Sequence, residues 1–311
     1  MADNNKSILV TAVITTHKRI PQIVTRAIKS ILNQTYSNIE IIIVDDSPQD
    51  YVYRNEVKKE IEELAPDAIY IQNSQTLGAC AARNVGLKHA SGKYIAYLDD
   101  DDEWLPNKIE SQLEQFAKAN INTCMVYCAF IKYDESTGEK KKIPLKKCQG
   151  MIYEELLRYG NICGGMSMPL IRTDYLREIG GFDEKMPALQ DYDVWLRLAK
   201  KYPIIYDEEY LVKYYWGEGD QISKNPDNKI GGIKRIISKN ENVINNDKHI
   251  KWKFYSLLTN FLIWKKQVKE ATRYFKICIK TQPFKIYNNL KLLFKLLKCK
   301  IEEKIRNCNA I

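Results

Sequence analysis

Lys93-Tyr94-Ile95-Ala96-Tyr97-Leu98-Asp99-Asp100-Asp101-Asp102-Glu103-Trp104 is an apolar strand that runs straight into four aspartates. No basic residue adjoins the block in the chain, so it repels itself unless something positive sits there. A strand that ends in carboxylates at the rim of a sheet offers hard oxygen ligands to Mg²⁺ or Mn²⁺, and such a cation can in turn hold phosphates. The competing reading is a solvated acidic turn.

The segments before this strand alternate in period. Residues 7–16 are β-rich and almost continuously apolar, as a strand buried on both faces requires. Pro21 opens a helical pattern on Ile23, Ala27, Ile28, Ile31 and Leu32 that fades at Asn33-Gln34-Thr35. Ile39–Val44 reads as a second apolar strand, and it too ends in carboxylates, Asp45-Asp46, ahead of Ser47-Pro48. A helix with Val57, Ile61 and Leu64 leads to the strand Ala68–Ile71. Another helix, over Ala79–His89, leads back to Tyr94–Leu98, with Ser91-Gly92 expected to cap its end. Four strands with helical connections predict an α/β fold around a doubly wound, mostly parallel sheet whose ligand site lies at the strand carboxyl ends. Thr15, Asp45, Asp46 and Asp99–Asp102 would gather there.

Further on, the spacing predicts a helix after Pro106 on Ile109, Leu113 and Phe116, a strand over Thr123–Lys132 and a hairpin near Ser136-Thr137-Gly138. Residues 161–169, rich in Gly, Met and Cys, read as a loop over the site. From about residue 240 the texture changes to helices spaced by lysine, with a break at Pro283.

At 311 residues and 45% hydrophobic content, the chain can bury one large domain and an appendage. It has no apolar run near the roughly 18 residues that span a bilayer and no apolar leader at its start, so a soluble, cytoplasmic protein is expected. The eight cysteines form no paired metal-type spacing and are expected as reduced thiols. The net charge of +9 is uneven: residues 251–311 hold 15 Lys and Arg against 3 Glu, a net +12 that leaves −3 for residues 1–250. That split disfavours a nucleic-acid partner for the acidic part. It leaves peripheral association of the basic C-terminal helices with anionic lipid as a partner reading.

With Leu189-Gln190-Asp191-Tyr192-Asp193-Val194-Trp195-Leu196-Arg197 added to the two acidic strand ends, residues 8–220 resemble the family 2 glycosyltransferases of the GT-A fold. Seven segments run in the family's order: Ala12–Arg19, Ser30–Tyr36, Ile43–Ser47, Ala82–Gly86, Leu98–Trp104, Gly180–Asp183 and the Asp191 segment. The resemblance implies a metal-dependent, inverting transfer of a sugar from a nucleotide-sugar donor, UDP-linked, to a hydroxyl of a glycan or lipid-linked saccharide acceptor. It implies a GT-A domain over residues 1–235, with a nucleotide-sugar half at about 7–105 and an acceptor half at about 106–235, followed by a basic helical region over 236–311.

By the same resemblance, Thr15 and Asp46 would contact the base and ribose, with Asp45 as their neighbour. The family's acidic motif maps onto Asp99, Asp100 and Asp101. Asp101 would be the direct ligand of Mn²⁺ or Mg²⁺, and Asp99 a partner of the ribose or the metal shell. Asp102 leaves that register open by one residue. Asp191 matches the catalytic base, with Gln190 in place of a common acidic neighbour; an N-cap for the following helix is the other reading of Asp191. Arg83 is a candidate contact to the donor phosphates or sugar, against a solvated helix arginine. His17 reads as a shape element beside the nucleotide, and Trp104, Trp195 and Trp216 as sugar-stacking or core residues.

Two other functions remain open from the residues alone. A nucleotidyltransferase shares such a sheet but usually begins with a Gly-rich phosphate loop, which Thr15–Arg19 lacks. A non-catalytic nucleotide-sugar or glycan-binding module could keep the fold. The apolar positions Ile286, Leu290, Leu293, Leu296 and Leu297 among lysines predict an amphipathic helix, either lying on an anionic membrane or docked on the enzyme.

Overall fold

The computed structural model describes residues 8–216 and 225–308. Strands form where the sequence runs apolar: β1 (Val10–Thr16), β2 (Ile39–Asp45), β3 (Ile69–Gln72) and β4 (Tyr94–Asp99). Helices α1 (Pro21–Leu32), α2 (Arg54–Leu64) and α3 (Ala79–His89) carry the chain between them. The four strands pair in parallel in the order β3-β2-β1-β4. Parallel register sets Thr15 abreast of Val44 and Asp99, and Thr16 abreast of Asp45, so both acidic strand ends reach one edge.

Two glycines let the chain approach β1 closely. A Cβ on Gly86 would lie 2.5 Å from Val13 Cγ1, and one on Gly92 would lie 2.5 Å from the Thr11 amide nitrogen. The expected cap at Ser91-Gly92 is therefore corrected. α3 ends on Ala90 in extended conformation, and Gly92 is required by backbone crowding rather than by a left-handed turn.

Beyond β4 the sheet becomes mixed. It gains β5 (Glu103–Trp104), β6 (Met125–Asp134), β7 (Lys140–Ile143), β8 (Leu170–Arg172) and β9 (Ile204–Trp216). β8 inserts antiparallel between β4 and β6. β9 runs parallel to β6 and antiparallel to β5, and β7 closes the expected hairpin with β6. Helices α4 (Lys108–Lys118), α5 (Tyr153–Tyr159), α6 (Thr173–Glu178) and α7 (Gln190–Ala199) complete this part. Trp104 and Trp195 are buried core residues, while Trp216 is exposed.

The chain divides into two units, residues 8–184 with 191–216 and residues 185–190 with 225–308. The second unit holds α8 (Pro226–Lys239), α9 (Glu241–Asn246), α10 (Lys248–Trp264), α11 (Val268–Thr281) and α12 (Ile286–Cys308). α8 thus goes with the C-terminal helices, a division earlier in the chain than residue 235. Asn225 and Asp247 cap α8 and α10 by accepting main-chain N–H groups of the first turn. In this unit the segment 185–190 lies against α8 at Gly231-Gly232, where a Cβ on Gly232 would come 2.6 Å from the Ala188 carbonyl oxygen. The seven cysteines whose side chains are described are free thiols.

Candidate active site

The positive charge that the acidic block demands comes from distant parts of the chain. Arg19, on the β1–α1 loop, donates Nε to Asp100 Oδ1 at 3.0 Å and Nη2 to Asp101 Oδ2 at 2.7 Å. Arg83, on α3, donates Nη2 to Asp99 Oδ1 at 2.9 Å, and Arg26, on α1, donates Nη2 to the Asp101 carbonyl oxygen at 2.8 Å. No base adjoins the block in sequence, and its partners lie 16 to 82 residues away. Arg19 is the residue the sequence reading missed; its one signal was that it ends the Thr15–Arg19 segment.

The aspartates differ in exposure. Asp99 and Asp101 keep 32% and 34% of their side chains exposed, while Asp100 and Asp102 are buried. Burial raises the Asp100 carboxyl to about 6, with Arg19 opposing and the Asp101 charge adding to the rise. Burial, then the Asp99 charge, raises Asp101. Burial, then the charges of Asp99 and Asp101, pushes Asp102 well above the ordinary carboxylate range. Ser167 props the turn from within: its Oγ donates to Asp102 Oδ2 at 2.5 Å and accepts the Asp99 N–H at 3.1 Å. The 161–169 segment is a loop at the site, touching Asp102 through Ser167 and Asp191 through Asn161, with Ile162, Cys163, Met166, Ser167 and Met168 buried.

The other acidic strand end is organised by neutral donors. Asp46 Oδ1 accepts from Asn73 Nδ2 and the Leu77 N–H at 2.8 Å each, and Oδ2 accepts from the Gly78 N–H at 2.8 Å. Asp45 accepts from the Ser47 N–H and the Tyr70 hydroxyl, both at 2.9 Å, with Arg54 Nε at 3.9 Å. Both residues are buried. Asp46 thus orders the segment 73–78 that leads into α3. Thr15 is half-buried beside Asp99, and His17 is exposed with Nδ1 2.9 Å from the Asp46 carbonyl oxygen.

Asp191 lies inside the first turn of α7, not ahead of it as an N-cap would. Its Oδ2 accepts from Asn161 Nδ2 at 2.9 Å and its Oδ1 from the Tyr192 N–H at 2.7 Å. The preceding Leu189 is left-handed, at φ 62°, which costs on the order of 1 kcal/mol for a non-glycine residue and marks a constrained approach to Asp191. Asp193, by contrast, is buried and paired with Arg197 Nε at 2.8 Å.

Arg83 is tied to the acidic turn through Asp99. Burial alone would lower its guanidinium, but the Asp99 charge and hydrogen bond outweigh that, and Asp191 adds to the rise. With 11% of its side chain exposed, it is not the solvated helix arginine that was its alternative. Its neighbour Asn84 fixes the Gly180–Asp183 segment, donating Nδ2 to the Phe182 carbonyl at 2.9 Å and accepting the Phe182 N–H at 2.8 Å.

Among the described residues no three His, Cys, Asp or Glu side chains group closely enough to cage a metal ion. Mg²⁺ and Mn²⁺ can bind through one or two carboxylates, with phosphate and water completing the shell. Asp99 and Asp101 offer two partly exposed carboxylates in one turn, the Asp99 charge adding to the rise of Asp101, and this donor chemistry suits a divalent cation.

An open sheet with acidic strand ends at its carboxyl edge is the layout of an α/β nucleotide-binding scaffold. The chain belongs to glycosyl transferase family 2, whose family model matches residues 11–180. It is 34% identical over 193 residues to an uncharacterised glycosyltransferase of Rickettsia felis, a match covering 60% of this chain and 31% of the relative. It is 32% identical over 178 residues to WfgD of Escherichia coli, a UDP-Glc:alpha-D-GlcNAc-diphosphoundecaprenol beta-1,3-glucosyltransferase, covering 57% of this chain and 64% of that one. The chain spans about a third of the Rickettsia relative's length. The crystal structure of S. aureus TarS 1-349 in complex with UDP-GlcNAc superposes with a TM-score of 0.61 at 14% identity, over 94% of this chain and 79% of that one. At that identity the likeness shows the fold, which is GT-A-like.

Proposed function

We propose that the chain is a metal-dependent, inverting glycosyltransferase that moves a sugar from a UDP-linked donor to a hydroxyl of a glycan or lipid-linked saccharide. The observation that carries this reading is the acidic turn at the carboxyl edge of the sheet, where Asp99, bonded to Arg83, and Asp101, bonded to Arg19, stay partly exposed. The donor named for WfgD and the ligand bound to TarS support the UDP part, and the diphosphoundecaprenol of WfgD supports a lipid-linked acceptor.

Asp99 and Asp101 would hold Mn²⁺ or Mg²⁺, which when bound neutralises the donor diphosphate and helps it leave. Arg83 presents a fixed guanidinium to the donor from a buried helix position. Asp100 and the Ser167–Asp102 pair hold the acidic turn in shape, and Arg19 occupies the place of the cation at Asp100 and Asp101. Asp191 takes the acceptor hydroxyl proton as that oxygen attacks the anomeric carbon from the face opposite the leaving group. Asn161 and the Tyr192 N–H orient its carboxylate for this. Thr15 and Asp45, with the segment that Asp46 orders, would line the nucleoside. The localisation that goes with this reading is cytoplasmic, with the C-terminal helices at the inner face of a membrane.

Full-length protein incubated with a panel of nucleotide sugars, with Mn²⁺, Mg²⁺ or chelator, tests the reading. Nucleoside diphosphate release from one UDP-sugar, only with metal, is expected. Equal turnover in chelator removes the metal part. Absence of both binding and turnover across the panel removes the donor reading, and release of pyrophosphate instead indicates a nucleotidyltransferase.

A further inference from the structure

Helix α12 has two apolar faces, and the described residues cover only one. Asn289, Leu292, Leu296 and Cys299 recur at three- and four-residue steps and are buried. Contacts to α10 line that face: Asn289 Oδ1 accepts from Trp252 Nε1 at 2.9 Å, and Cys299 Sγ lies 3.6 Å from the Ile263 carbonyl oxygen. The other face carries Tyr287, Leu290, Phe294, Leu297 and Ile301, with the same spacing. All five are exposed, Tyr287 at 77% and Phe294 at 70%, and Phe284 in the turn before the helix is 91% exposed. Single exposed apolar side chains are ordinary, but a continuous stripe with aromatic residues marks an interaction surface.

The charge pattern selects the occupant. Lys291, Lys295 and Lys298 each follow a stripe residue by one position, so they line its border, and the segment 285–300 contains no Asp or Glu. Pairing this face with a second copy would set lysine rows against each other. An anionic bilayer takes both features, with the apolar stripe in the acyl boundary and the ammonium groups among the phosphates. Among the described residues no helix is long and apolar enough to cross a membrane, so the helix would lie in the plane of the surface.

We infer that the outer face of α12, led by Phe284, Tyr287 and Phe294, docks on an anionic phospholipid bilayer. This deepens the localisation given under the proposed function and does not depend on the sugar chemistry.

The test is sedimentation of the full-length protein with vesicles of phosphatidylcholine alone and of phosphatidylcholine mixed with phosphatidylglycerol. Binding to the mixed vesicles only, weakened by salt, is expected. The double variants Tyr287→Ser with Phe294→Ser, and Lys291→Glu with Lys298→Glu, should each bind about tenfold or more weakly, with unchanged thermal unfolding and unchanged donor hydrolysis. Undiminished binding by both variants, or equal binding to the two vesicle types, overturns lipid docking. So does a dimer in sedimentation velocity that Phe294→Ser dissolves while vesicles are ignored, because the face then belongs to a second copy. Vesicle binding without donor hydrolysis by the wild type would sink the proposed chemistry and leave the docking standing.

Discussion

Asp45-Asp46 and Asp99–Asp102 end the two strands that flank β1, yet they are held in opposite ways. The first pair is buried and bonded mainly by main-chain N–H groups, an amide and a hydroxyl. In the second, Asp99 and Asp101 stay about a third exposed and are held by guanidinium groups. Main-chain donors can go nowhere else without unfolding a segment, so the carboxylate they bind is part of the architecture. A guanidinium at a partly exposed rim can be exchanged for another cation. Equal sequence signals thus mark one end tied into the fold and one end whose outer carboxylates stay accessible.

The strongest way to break this comparison is Asp101→Ala. It should abolish metal-dependent turnover, a loss of roughly 10³-fold or more, while the thermal midpoint stays level or rises as like charge is relieved. Turnover at the wild-type rate in Mn²⁺ would move the ligand to another aspartate of the run or defeat the metal reading. Asp191→Asn keeps shape and removes basicity, so transfer should fall by roughly 10² to 10⁴ with donor binding intact. A drop under about tenfold would leave Asp191 a helix-end residue only.

Asp46→Ala probes the architectural end. Three N–H groups lose their acceptor, and denaturant unfolding should report a loss on the order of 3 kcal/mol. A cost no larger than that of Asp101→Ala would erase the contrast between the two ends.

Lys108 extends the comparison to a buried cation with no carboxylate at bonding distance among the described residues. It bonds Gln112 Oε1 at 2.8 Å, and burial lowers its ammonium from 10.5 to about 8. The unfolded chain then binds that proton more tightly than the fold does, so the stability cost is full below about pH 8 and fades as pH rises toward 10.5. The stability of Lys108→Met relative to wild type should therefore fall by on the order of 2 kcal/mol between about pH 7 and about pH 10. A gap that does not change with pH would mean that Lys108 is not buried as described.

Arg19→Gln has the smallest expected effect and sharpens the notion of exchange. Removing the cation that occupies Asp100 and Asp101 should tighten Mn²⁺ binding to the donor-free protein about threefold to tenfold, read by thermal shift. Weaker Mn²⁺ binding would make Arg19 a support for the ligand rather than its placeholder.

Much of the first half of the fold was legible because its signals are local. β4 is an unbroken apolar run up to Asp99, β2 is broken before its end only by Glu40, α1 opens at a proline, and α3 spans the residues its pattern marks. β5 and β8 were missed, since two or three residues carry no periodicity. The tail shows a different limit. The apolar positions of α12 were readable, but which of them face α10 depends on how the helix is turned, and the wheel of the sequence offers two stripes.

For the site, the sequence by itself determined which carboxylates stand at strand ends, because a run of aspartates after an apolar strand is a property of neighbours along the chain. It determined likewise that Asp191 falls at the start of a helix. Only the tertiary structure decided which carboxylates are already bonded and by what. Arg19 meets Asp101 across 82 residues, Asn161 meets Asp191 across 30, and Asn73 meets Asp46 across 27. Such pairings follow from how strands and helices stack, and the energy that fixes each depends on burial and on angles that no local pattern encodes.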